Sequence, residues 1–163
     1  MGLDLIMYNK REYMEYNGTE YDKITELAYG RKTWAIESYF ASRSYPIISK
    51  EYVFDVPEEA WDEFYTTAIN LGFEKFKIWV DVISEYEHIC ENTEDEENDQ
   101  LEEIYMKAYT KTEEYLSHLF GSETNYQLGM VWEARAVVNW VEAYPKVKET
   151  YERGDGVIMV ASF

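Results

Sequence analysis

Between Lys77 and Lys107 the chain places eleven carboxylates and no lysine or arginine: Asp81, Glu85, Glu87, Glu91, Glu94, Asp95, Glu96, Glu97, Asp99, Glu102 and Glu103. A single-sign block of this kind creates a directed field that steers and holds a cationic partner. If residues 78–91 and 100–106 are helical, rising ~1.5 Å per residue, carboxylates recur about every 4 Å along the two segments together. One strand of a DNA duplex places a phosphate about every 3.4 Å. The densities match closely enough for the acidic surface to occupy a phosphate-binding groove. Asp81 and Glu85 lie four apart, as do Glu87 and Glu91, and Asp99 and Glu103. Each such pair costs a helix roughly 0.2–0.5 kcal/mol, so the accumulation is locally unfavourable. The ordinary alternative is a solvated face ending in an acidic turn.

Other chemistry is thinner. Glu85 and His88 form one E-x-x-H, the spacing that di-iron bundles use twice. The other histidine, His118, has Tyr115 three positions before it, so a second copy is missing, although Glu114 sits one turn away. Glu85, His88, Glu114 and His118 therefore define an alternative reading, a small metal protein or enzyme. ENTEDEEND (91–99) lacks the glycine and terminal glutamate of an EF-hand loop. Cys90 falls on an apolar helical stripe, which predicts a buried structural thiol. No nucleophile elbow, phosphate loop, dinucleotide fingerprint or H-E-x-x-H occurs. No catalytic residue, metal ligand set or cofactor is assigned. Arg31-Lys32, beside Tyr29 and Trp34, could bind a small anion; the more usual outcome is pairing with the protein's own carboxylates and packing on rings.

The elements that must position these groups follow from composition and periodicity. The chain has 163 residues, a formal charge of −18, 46% hydrophobic and 17% aromatic residues. That is enough apolar surface for one globular domain spanning 1–163, and too much for a disordered acidic tail. Residues 1–50 are net neutral, 51–106 carry −16 and 107–163 carry −2. A lone cysteine allows no internal disulfide, which fits a reducing compartment. No apolar run reaches membrane length and the N-terminus does not read as a secretory leader, so the expectation is a soluble protein of the cytoplasm. The acidity argues against direct contact with nucleic acid or an anionic membrane.

Residues 2–8 read as a strand and 9–20 as a polar loop. Asp22 is a candidate N-cap for a helix over 23–42, ended by Ser44-Tyr45-Pro46. Residues 50–56 alternate as a strand, and Asp55-Val56-Pro57-Glu58-Glu59 starts a helix. Its stripe is Trp61, Phe64, Tyr65, Ala68 and Ile69, and Gly72 ends it. Phe76, Trp79, Val80, Ile83, Tyr86 and Cys90 continue helical spacing to about 91. Leu101, Ile104, Tyr105, Ala108, Tyr115 and Leu119 mark another helix; Val131, Ala134, Val137, Val138, Val141 and Tyr144 mark the last, bent or ended by Pro145. Gly154-Asp155-Gly156 is a turn before a closing strand. The expected fold is α+β: about five helices packed on a small antiparallel sheet of about three short strands, in which the two terminal strands meet.

The segments GLDLIMY, ELAYGRKTWAIESYF (26–40), LFGSETNY (119–126) and the closing VASF resemble a family of small proteins from bacteriophages and prophages. Two positions depart from its pattern, Gly30 where tryptophan is expected and Glu37 where members often carry histidine. The resemblance implies a phage setting within a bacterial host rather than a reaction, and it does not extend to the acidic block. Together these readings describe a non-enzymatic, acidic, phage-encoded binding protein. Its expected partner is a basic host nucleic-acid-binding effector or nuclease, such as a CRISPR effector, inhibited by nucleic-acid mimicry. A structural or assembly accessory, whose aromatic residues form an oligomer interface, is a further alternative.

Overall fold

A computed structural model describes residues 3–16, 23–48, 50–92, 99–121 and 129–162, the side chains of Asn92 and Asp99 excepted. The class is α+β, with seven helices and five strands among the described residues. In chain order these are β1 (Asp4–Asn9), α1 (Lys10–Glu15), β2 (Glu26–Arg31), α2 (Trp34–Ala41), β3 (Tyr45–Pro46), β4 (Val53–Val56), α3 (Glu58–Asn70), α4 (Phe73–Asn92), α5 (Asp99–Phe120), α6 (Met130–Glu142), α7 (Tyr144–Glu152) and β5 (Val157–Ser162). The strands form one antiparallel sheet in the order β2-β1-β5-β4-β3. The first and last strands pair along their full length, from Asp4 opposite Ser162 to Asn9 opposite Val157. No described helix is long and apolar enough to cross a membrane.

One face of the sheet, through Leu3, Leu5, Met7, Val157 and Met159, is buried against the helices. The centre of that layer is aromatic. Phe40 lies 5.1 Å from Trp61 and 5.3 Å from both Phe64 and Trp140, and Trp61 stacks on Trp140 at 5.5 Å. All four rings are fully buried, each contributing roughly 1.5–3 kcal/mol by leaving water. The sheet's other face carries a smaller cluster of Tyr8, Tyr13, Ile24, Val53 and Ile158.

Three expectations are corrected. The stretch read as one helix over 23–42 is the edge strand β2 followed by the eight-residue helix α2. Gly30 explains the difference. It lies opposite Leu5 in the sheet, where a Cβ would meet the Thr33 Cγ2 atom at 2.6 Å. Lys32 then adopts φ 57°, which no right-handed helix permits. The polar segment after β1 contains helix α1, because the Asn9 side chain accepts from the Glu12 amide and caps it. Pro145 neither bends nor ends a long helix. It occupies the first turn of α7, where its missing N–H is harmless, after α6 ends at Glu142. The candidate cap Asp22 lies outside the described residues.

Helix α6 holds the exposed edge of β2 closed. Trp140 Nε1 donates to the Tyr29 carbonyl at 3.1 Å, Asn139 accepts from the Tyr29 amide, and Lys146 of α7 donates to the Glu26 carbonyl. An edge strand would otherwise offer those groups to another chain. The same helix reaches α2 through Glu133, which is 3% exposed. Its carboxyl accepts from the Ile36 amide at 2.7 Å and from the Ala35 amide. It thereby satisfies first-turn donors that the N-cap Thr33 leaves unmet.

Burial pushes Glu133 up to about 7, against the two amides, which favour the anion. The folded state thus keeps a proton that the unfolded chain has released above its ordinary value of 4.5. Stability from this group is full below that value and falls as pH rises to about 7. Glu133→Gln keeps the shape and removes the titration. Urea unfolding is expected to show the variant gaining on the parent by about 3 kcal/mol between pH 4.5 and pH 8. A difference that does not change with pH contradicts this account of the buried carboxyl.

Candidate functional site: the acidic helical hairpin

The helices α4 and α5 run antiparallel, and stacked rings set their register. Phe76 lies on Tyr115 at 4.0 Å near the root, and Tyr86 on Tyr105 at 4.2 Å further out. Tyr115 also donates to the Ala68 carbonyl at 2.6 Å, tying the hairpin to the end of α3. The inward stripe of α4 is buried at Phe76, Val80 and Ile83. Further along it loses its cover, so Cys90 is exposed rather than the buried thiol the periodicity predicts. Ile104 on α5 is 50% exposed for the same reason, and Ile69 near the end of α3 is 43% exposed, not part of a buried stripe.

The acidic residues sort by this geometry. Asp81, Glu85, Glu91, Glu102 and Glu103 are exposed, and none forms a salt bridge with a described residue. Glu87 differs: Arg135 of α6 donates to its carboxylate at 2.9 Å, and Arg135 Nε reaches Ser84. That residue fastens the hairpin to the body and is not free for a partner. Asp99 opens α5, with no description of its side chain; Glu94, Asp95, Glu96 and Glu97 lie outside the described residues. Three of the hairpin's own lysines are engaged. Lys77 pairs with Glu142, Lys111 with Glu114, and Lys107 lies 5.7 Å over the Trp79 ring.

The four residues of the metal reading are not brought together. Glu114 and His118 border a small hollow of about 210 Å³ with Gly72, Phe76 and Trp79, at the root of the hairpin. Glu85 and His88 sit nine and twelve residues beyond Phe76, about 14 and 18 Å along the helix at its usual rise. The His118 Nδ1 atom is 2.6 Å from the Glu114 backbone carbonyl, a contact in which the ring donates. Among the described residues no three His, Cys, Asp or Glu side chains approach closely enough to hold a metal.

Sequence reasoning missed a polar groove between α1 and α7. Arg11, Glu12, Thr25, Lys146, Glu149 and Arg153 line a hollow of about 820 Å³ over the Gly154–Asp155 turn. A second hollow of about 460 Å³ continues from it past Lys10, Tyr151 and Asp55. The nearly buried Asp155 accepts from Asn9 Nδ2 at 2.9 Å and Arg11 Nε at 2.7 Å, with Arg153 at 3.8 Å. Those donors, Asn9 first, hold its carboxyl below the usual range. The groove's charges thus answer one another. The Arg31-Lys32 pair, by contrast, gathers at Trp132 of α6 rather than at a carboxylate.

Comparison of the chain with protein-family models, with curated protein sequences and with solved structures finds no match in any of the three.

The outer hairpin depends on its ring contacts, since few apolar groups cover it. Tyr105→Ala removes a stacking pair worth about 1 kcal/mol beyond its buried area. Hydrogen exchange is expected to speed up in residues 84–91 and 100–108 while β1, β5 and α6 keep their protection. Equal acceleration throughout the protein would mean that the hairpin has no separate stability.

Proposed function

We propose that the protein acts by binding, and that its acidic hairpin competes with nucleic acid for a cationic groove on a partner protein. The observation that supports this reading is the set of exposed carboxylates, Asp81, Glu85, Glu91, Glu102 and Glu103, carried without a salt bridge to any described residue on two helices whose register is set by ring stacking. Charges already carried on formed helices meet a groove with less ordering penalty than those of a disordered segment. Glu94, Asp95, Glu96 and Glu97 lie between the two helices in sequence and Asp99 opens the second, and in this reading their charge adds to the attraction. The partner is a basic nucleic-acid-binding protein. In the phage setting that the sequence resemblance implies, it is a host defence or regulatory protein, such as a CRISPR effector, and the bound state is an inhibited one.

Exposed charge contacts are screened within roughly 10 Å at 0.1 M salt, so capture of the partner from host lysate is expected at low salt and release at high salt. Two variants divide the surface. One converts Asp81, Glu85, Glu91, Glu102 and Glu103 to Asn or Gln; the other converts Glu94, Asp95, Glu96, Glu97 and Asp99. Both are expected to fold, shown by circular dichroism and cooperative unfolding, and together they abolish capture. Capture unchanged in the combined variant removes the proposal.

A further inference from the structure

We infer that Trp132, ringed by Arg31, Lys32 and Arg135, forms a binding site for a small anion that joins phosphate to an aromatic ring, of which a nucleotide is the plainest example. The site is independent of the acidic hairpin proposal and uses none of its carboxylates.

Three cations converge on one ring: Arg31 Cζ lies 5.7 Å from the indole centroid, Lys32 Nζ 5.8 Å and Arg135 Cζ 5.9 Å. Arg135 is answered by Glu87. Arg31 and Lys32 form no salt bridge with any described residue. Lys50 and Lys107 likewise rest over rings without a salt bridge to a described residue, but each has a ring to itself, whereas Arg31 and Lys32 share one indole with Arg135. A ring's quadrupole attracts each cation separately, but three like charges around a single indole also repel one another. An anion resting among them removes that repulsion.

The backbone is arranged to hold the group in place. Arg31 ends β2, and Lys32 turns the chain into α2 through a left-handed conformation, φ 57°, fixed by its amide donating to the Leu3 carbonyl. Side-chain-bearing residues persist in that region where the surroundings over-determine them, and such outliers cluster at ligand sites. Trp132 and Arg135 stand one turn apart on α6. The N-termini of α2 and α6 meet here: a Cβ on Gly129, the N-cap of α6, would lie 3.4 Å from the Lys32 carbonyl oxygen. The first-turn amides of α2 are already taken by Glu133, so the positive charge offered to an anion comes from the Arg31 and Lys32 side chains. The chemistry divides between the parts. Arg31 and Lys32 suit phosphate oxygens, the guanidinium as a fork and the ammonium as a point charge. The indole, 40% exposed, leaves ring surface on which a base can stack.

Titration of the intact protein with ADP, inorganic pyrophosphate and adenosine, followed by tryptophan fluorescence and calorimetry at low salt, tests both halves. ADP is expected to bind saturably, pyrophosphate about tenfold more weakly, and adenosine weakest. Arg31→Gln and Lys32→Gln are each expected to weaken ADP about tenfold. Trp132→Leu is expected to erase the preference for ADP over pyrophosphate. Near-ultraviolet circular dichroism and unfolding curves confirm that the variants fold. Absence of saturable binding by ADP and pyrophosphate overturns the site, as does ADP affinity unchanged in the Arg31 and Lys32 variants. Equal affinities for ADP and pyrophosphate in the parent protein overturn the aromatic part of the assignment.

Discussion

One buried carboxyl sets the geometry from which the rest of the molecule follows. Glu133 sits 3% exposed against the first turn of α2, accepting from its amides. An unpaired charge there would be expensive, so α6 and α2 must meet at this point and at one rotation of α6 about its axis. Helical periodicity then distributes the other contacts of α6. Two residues on, Arg135 reaches Glu87 and Ser84 of α4; nearly two turns on, Asn139 and Trp140 close the edge of β2; at the end, Glu142 takes Lys77. A single helix thereby orients the sheet edge, the short helix beside it and the hairpin.

The arrangement separates two jobs that compete elsewhere in proteins. The body concentrates its apolar mass in the knot of Phe40, Trp61, Phe64 and Trp140 beneath the sheet. The excess negative charge is carried mostly by the hairpin. Like charges one turn apart weaken a helix by a few tenths of a kcal/mol each, and the paired rings of Phe76 with Tyr115 and Tyr86 with Tyr105 act against that loss. Part of the self-repulsion is thus carried on the hairpin, away from the packed core.

Much of the frame was legible in the chain because local signals and tertiary packing agree there. The terminal strands, the helix beginning at Glu58, the glycine that closes it at Gly72 and the two glycines around Asp155 all obey short-range rules. The 23–42 segment was not legible as strand and short helix. Leu27 and Ala28 fit a helical stripe, and only their pairing with β1 and the tight approach at Gly30 decide otherwise. Cys90 and Ile104 sit at sound helical spacing, but spacing does not reveal where the covering body stops. The acidic block was visible as composition, whereas the use of Glu87 as an anchor needs Arg135, 48 residues away. The cluster at Trp132 was half visible: Arg31 and Lys32 stand out, but the ring they attend lies about a hundred residues on. The polar groove had no sequence signal, since its six charged side chains come from two segments more than 130 residues apart.

The central claim is that the hairpin is the face through which the protein meets its partner. The most direct measurement is hydrogen exchange on the complex with the partner recovered by low-salt capture. The account predicts new protection in the outer turns of α4 and α5, with β2, α6 and the α1–α7 groove exchanging as in the free protein. Protection on the groove or on α6, with the hairpin unchanged, would contradict it.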